Sequence, residues 1–361
     1  MSNIENINWD FVVRSILSEK CILFVGPGLS INYNNPNNQA DALKAITEKS
    51  KNDILSYHEK DGFLVFKDEN AKLLSLGKIR EFYQQNFVNP VLEKLAEIPF
   101  HLIINVTPDA TLQDIFKKKN FAFSSNFYST KMLRELSSPP KKATPLIYNL
   151  FGTVEDDESL IVSHYDLFNY LKASYSHNSM PVEIKNAFSK DFTNNIIFLG
   201  FDFDKWYYQL ILNLLNLNFE PCIKYAFLQD NLDNDIKTLY ESHFKLNFEA
   251  KHIEKFVTTL HEQFSAEQLR KPAEAGKTQK KYLKPNIIKF LNAAFNATDL
   301  DTLCLCYFED VHNQFTAEQS KITRINMLID YVSKNNAYDD LLEPAKEQNP
   351  VMFEKFAPYF E

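Results

Sequence analysis

Glycine is what this chain of 361 residues most lacks: 7 in all, about 2% against the ~7% usual in soluble proteins. A chain so sparing keeps glycine where no side chain fits, at a strained turn or under a ligand. Cysteine is scarce too. Cys21, Cys222, Cys304 and Cys306 are too few and too irregularly spaced for a disulfide framework or a four-thiolate zinc site, which points to reduced thiols in a cytoplasm. No apolar run reaches the ~18 residues that would span a bilayer. The opening Met-Ser-Asn-Ile-Glu-Asn has neither the basic nor the apolar region of a signal peptide. Basic charge is also short: 39 Lys and Arg against 47 Asp and Glu give −8, so no global positive field points to direct nucleic-acid binding.

What is present describes a soluble globular chain with 45% hydrophobic and 24% charged residues. Its 31 Phe, with abundant Asn and Lys, resemble the bias of an AT-rich bacterial genome. The length suggests two or three domains at roughly 100 to 200 residues each.

Two of the rare glycines stand one residue apart in Cys21-Ile22-Leu23-Phe24-Val25-Gly26-Pro27-Gly28-Leu29-Ser30. The apolar run reads as a buried parallel strand, and the glycines and hydroxyl as a phosphate-binding loop or a plain strand-to-helix turn. Further apolar runs lie at 101–106, 145–151, 195–199 and 225–228, with a weaker alternation at 121–128 and a last strand at 245–249. Helical patterns at 7–18, 39–58, 70–98, 110–117, 205–217, 232–243 and 252–264 separate them, with another opening at Ser163 and His164. Strands alternating with helices predict an α/β fold, a doubly wound Rossmann-like parallel sheet with helical insertions, over 1–264. The helix at 205–217 is apolar nearly all round, as expected of burial within one chain or at a contact between copies in a homo-oligomer.

Residues 265–284, with 6 Lys or Arg against 2 Glu, read as a linker. Residues 285–361 read as a small all-α bundle of interaction-module size. Its stripes include Ile287, Phe290 and Leu291, then Ile325, Leu328 and Ile329, with capping-box spacing at Thr298 with Asp301 and Thr316 with Gln319.

Four motifs arrive in order: Gly26-Pro27-Gly28-Leu29-Ser30, Asn105-Val106-Thr107-Pro108-Asp109, Leu150-Phe151-Gly152 and Gly200-Phe201-Asp202-Phe203-Asp204. Together they resemble the sirtuin-like NAD-binding family, most closely its prokaryotic defence branch, over residues 7 to about 264. The tail resembles the death-fold-like effector-associated domains of bacterial conflict systems. The resemblance implies NAD or an ADP-ribose derivative as cofactor, with Gly26, Gly28, Ser30, Gly152, Gly200 and Asp202 on the nucleotide. Asp202 and Asp204 would equally serve as a helix N-cap pair.

The implied catalytic positions depart from the family pattern. Anchored on Asp109, the family's strand-exit Asn falls at Thr107, with Asn105 two residues earlier on the same side of the strand. The family's general-base His is Phe151, which cannot accept a proton. His164 is the nearest substitute downstream, and equally a capping or surface residue; Asp109 equally suits an Asx-turn. Zinc-dependent deacetylation is excluded by comparison with the family, whose paired Cys-x-x-Cys motifs are missing, and no metal is expected. Three functions remain open: a catalytically weak nucleotide-binding module with a tail that recruits a protein partner, an NAD glycohydrolase with a relocated base that depletes NAD on infection, and an adaptor that works through its tail.

Overall fold

The computed structural model describes residues 7–360 apart from 86, 88, 130–135, 137–138, 176–179, 218–219, 229–231, 251–252, 274–281, 317–318 and 335–336. The chain forms two compact units, Met1–Ala273 and Glu274–Glu361.

The first unit is built on strands β1 (Cys21–Val25), β4 (Leu102–Asn105), β5 (Ser124–Phe127), β6 (Leu146–Asn149), β7 (Asn195–Leu199), β8 (Ile223–Leu228) and β9 (Leu246–Ala250), with β2 (Ile54–His58) and β3 (Phe63–Phe66) in a separate hairpin. The seven strands form one sheet in the order β5-β6-β4-β1-β7-β8-β9, parallel throughout. Helices flank it, as expected of a doubly wound α/β fold. All five residues of β1 are buried because both faces of the sheet are covered. Ile22 and Phe24 pack with Ile196 and Phe198 on one face, and Cys21, Leu23 and Val25 with Ile197 and Leu199 on the other.

From β1 the chain builds outward through β4 and β6, then returns to add β7 on the other side. Connections therefore diverge at the carboxyl ends of β1 and β7, the topological switch point where α/β sheets bind ligands.

Several elements differ from the sequence reading. The helix expected over 39–58 stops at Lys49, and Ile54–His58 instead pairs antiparallel with Phe63–Phe66. The helix expected over 70–98 is two, Glu69–Tyr83 and Pro90–Glu97, because Asn89 caps the second from outside while Pro90 takes its first turn. The apolar helix spans Trp206–Leu214 and buries Tyr207, Tyr208, Ile211 and Leu212 within the unit.

The first unit also continues through 265–273, read from composition as linker. Arg270 donates to the carbonyls of Ala96, Ile98, Phe100 and Lys142, and Asn120 and Ala273 exchange hydrogen bonds. Burial lowers the Arg270 guanidinium to about 10.

The second unit is helical, with Ile287, Phe290, Leu300, Ile325, Leu328 and Leu341 among its core. Its capping box is Asn296 with Asp299, two residues before the expected Thr298 and Asp301, while Thr316 N–H does donate to Gln319 Oε1. The two nearby cysteines part company: Cys304 is buried and Cys306 exposed, since a two-residue step turns a helix by about 200°.

Candidate functional site

The glycines at the switch point are required by neighbouring backbone. Gly26 N–H donates to Leu199 O at 2.9 Å, Gly28 N–H to Gly200 O at 2.9 Å, and Gly200 N–H to Phe227 O at 2.9 Å. A Cβ on Gly26 would lie 2.2 Å from Gly200 O, and one on Gly200, whose φ is +64°, 2.4 Å from Leu29 N. The loops after β1 and β7 are thus sewn together. Gly152, with φ +83°, has its own neighbour: a Cβ there would meet Ser159 O at 2.0 Å.

Two cavities open above this seam. One of about 220 Å³ is bordered by Pro27, Asn32, Thr107, Phe151, Tyr207 and the hairpin residues Tyr57, Asp61 and Phe63. Its neighbour of about 430 Å³ is bordered by Pro27, Gly28, Asn32, Gly200 and Asp202. Pro27, Asn32, Pro36 and Asp202 border both, which makes them one cleft across the ends of β1 and β7.

Beneath the cleft lies a closed polar network. Thr107 Oγ1 sits 2.5 Å from Asp109 Oδ2 and 2.9 Å from Asn105 Oδ1, with Ser30 Oγ at 3.5 Å. Asp109 Oδ1 accepts from Thr111 N–H at 3.0 Å, the Asx-turn role that starts helix Thr111–Lys118. Asn105, paired in register with Asn149, donates to Asp109 O at 3.4 Å, and Asn149 donates there too at 3.2 Å. All four side chains are buried, and Thr107 is the one that lines the smaller cavity.

Phe151 stands in the cavity wall, 7% exposed, stacked on Tyr208 at 6.2 Å between centroids and edge-on to Tyr170 at 5.9 Å. No proton acceptor occupies that position. Asp202 forms the wall between the two cavities. The protein around it and the Asp204 charge raise its carboxyl above the ordinary range, an effect screened by water that reaches 45% of the side chain.

His164 begins helix His164–Tyr175 behind the cavity wall, and its Nε2 lies 2.9 Å from Asp61 Oδ2. The same oxygen is 3.1 Å from His58 Nδ1. Burial pushes the Asp61 carboxyl up, but the His164 hydrogen bond, the two imidazoles and the Trp206 indole together hold it below its usual value. Sequence reasoning missed His58 because it placed a helix over 39–58, and Asp61 because nothing was assigned between that helix and the next at 70–98. Asp61-Gly62 is the hairpin signal that would have found them.

A parallel, doubly wound sheet with a glycine seam and a cleft at its switch point defines a Rossmann-like α/β architecture. Residues 102–254 match the family model described as SIR2-like domain, and residues 287–350 match Effector-associated domain 7. The chain therefore carries a sirtuin-like domain followed by a C-terminal effector-associated domain. The first match starts at β4, so Gly26–Ser30 lies outside it and joins the site through the pairing of β1 with β4 and β7. No curated protein matches the chain.

Proposed function

We propose that the sirtuin-like unit binds NAD or an ADP-ribose derivative in the cleft and that the effector-associated unit engages a protein partner, as part of a bacterial defence or conflict system. The observation that carries the nucleotide reading is the continuous cleft over Gly28 and Gly200, at the point of the sheet where such ligands bind. Ligand would rest on the seam between the β1 and β7 loops. Gly28 N–H already serves Gly200 O, so side chains at the cleft wall, including Asn32, carry more of the recognition than the glycine backbone does.

The site holds its ligand without the family's proton acceptor. Phe151 is locked among Tyr170, Tyr207 and Tyr208, and the Asn105, Thr107 and Asp109 side chains satisfy one another and the start of a helix. One observation favours hydrolysis as a second reading: Asp61, backed by His164, borders the same cavity and offers a carboxylate that would orient water.

Titration calorimetry of the full chain with ADP-ribose and with NAD tests the proposal. Binding of either is expected, and Asn32→Trp, which fills the part common to both cavities, abolishes it. Heat from neither ligand, or undiminished binding by Asn32→Trp, overturns it.

A further inference from the structure

The geometry points to a metal site in the hairpin wall of the cleft: we propose that His58, Asp61 and His164 bind one borderline divalent transition-metal ion such as zinc, fastening the β2–β3 hairpin to helix His164–Tyr175. Among the described residues, one cluster of three His, Cys, Asp or Glu side chains has its ligand atoms grouped for an ion. His58 Nδ1, Asp61 Oδ2 and His164 Nε2 all lie within 4.8 Å of one another.

Tetrahedral zinc, with bonds of about 2.0 to 2.2 Å, spaces its ligand atoms about 3.3 Å apart. Here Asp61 Oδ2 is 3.1 Å from His58 Nδ1 and 2.9 Å from His164 Nε2. Those two edges would open by a few tenths of an ångström to admit the ion, and the third, between the two imidazole nitrogens and within 4.8 Å, would close onto it by turning the exposed His58 ring. Each imidazole then turns a lone pair inward and keeps its proton on the outer ring nitrogen.

The donor set selects the class of metal. Two imidazoles and one carboxylate suit zinc and its transition-metal neighbours, whereas magnesium and calcium prefer oxygen throughout. Three protein ligands leave a fourth position, and it opens to water on the side of His58, whose side chain is 54% exposed. The Asp61 position is supported from outside the set, since Tyr207 Oη donates to its backbone carbonyl at 3.3 Å.

The fold gives such a link something to do. His58 ends β2, Asp61 sits in the turn before β3, and His164 opens a helix 103 residues after Asp61 in the chain. Without an ion, the tip is held by hydrogen bonds such as Tyr207 Oη to Asp61 O at 3.3 Å and Lys205 Nζ to Lys60 O at 2.8 Å. Three metal bonds would fix the hairpin wall of the smaller cavity much more firmly.

The test uses tag-free full-length protein, stripped with chelator and titrated with zinc chloride by calorimetry, with cobalt substitution read by visible absorption. The expected result is one ion per chain and a tetrahedral cobalt spectrum. His58→Ala and His164→Ala should each lower zinc affinity ~10-fold or more, while the exposed His243→Ala leaves it unchanged. His58 is exposed, and circular dichroism checks that its variant stays folded. Zinc should also slow amide exchange across 54–66. No zinc uptake, or equal uptake by wild type and both histidine variants, overturns the proposal.

Discussion

Alanine at three glycines separates close backbone approach from simple turn geometry. Gly200→Ala places a Cβ 2.4 Å from Leu29 N and 2.7 Å from Gly28 C in a residue whose φ is +64°. The left-handed conformation costs about 1 to 2 kcal/mol for a residue with a side chain. Forcing extra volume into packed backbone adds about 1 to 3, so the loss should be about 2 to 5 kcal/mol. Gly62→Ala has the same sign of φ, +82°, but open space around the added carbon, so only the conformational cost of about 1 to 2 kcal/mol applies. Gly77 lies within helix Glu69–Tyr83 with nothing near the added atom, and alanine there should stabilise by about 0.5 to 1 kcal/mol. Both tryptophans, Trp9 and Trp206, lie in the first unit, so their fluorescence in a urea titration follows that unit alone. Equal losses for Gly200→Ala and Gly62→Ala would refute the seam as the reason for glycine at 200.

Other outcomes follow from single groups. Arg270→Ala removes the donor shared by four carbonyls and should cost about 2 to 4 kcal/mol; denaturant melts check it, and Arg270→Lys restores only part because lysine lacks the planar fork. Burial lowers the His101 imidazole to about 4, whereas in the unfolded chain it titrates near 6.5. The unfolded state therefore binds the extra proton between those values, and stability falls as pH drops from about 6.5 to about 4, by about 3 kcal/mol. Paired pH-stability curves for wild type and His101→Phe should diverge over that interval and run parallel above it.

The parts legible in the sequence were those with one cause. Strands β1, β4 and β7 are buried on both faces, so each appears as an unbroken apolar run ending in a turn residue. The helical tail was legible from its stripes, down to Ile287, Phe290 and Leu291. The hairpin was not. Ile54-Leu55-Ser56-Tyr57-His58 buries only Ile54 fully, and its apolar spacing continues the preceding helical pattern. Only its antiparallel partner makes it a strand.

Site residues divide the same way. The glycine motifs were visible because glycine is rare, but their contacts are with each other's backbone, which no single stretch reveals. Asn105 and Asp109 have residue types suited to catalysis, and the structure places both below the cleft in a network that includes Asn149 from the next strand. His58, Asp61 and His164 meet only through tertiary folding, with about a hundred residues between the hairpin and the helix.

The most direct test is a saturation-transfer NMR time course on NAD mixed with the full chain. Transfer from protein to the adenine and ribose protons, with nicotinamide still attached after hours, is the expected result. Free nicotinamide accumulating in proportion to protein would contradict a site that holds its nucleotide without cleaving it.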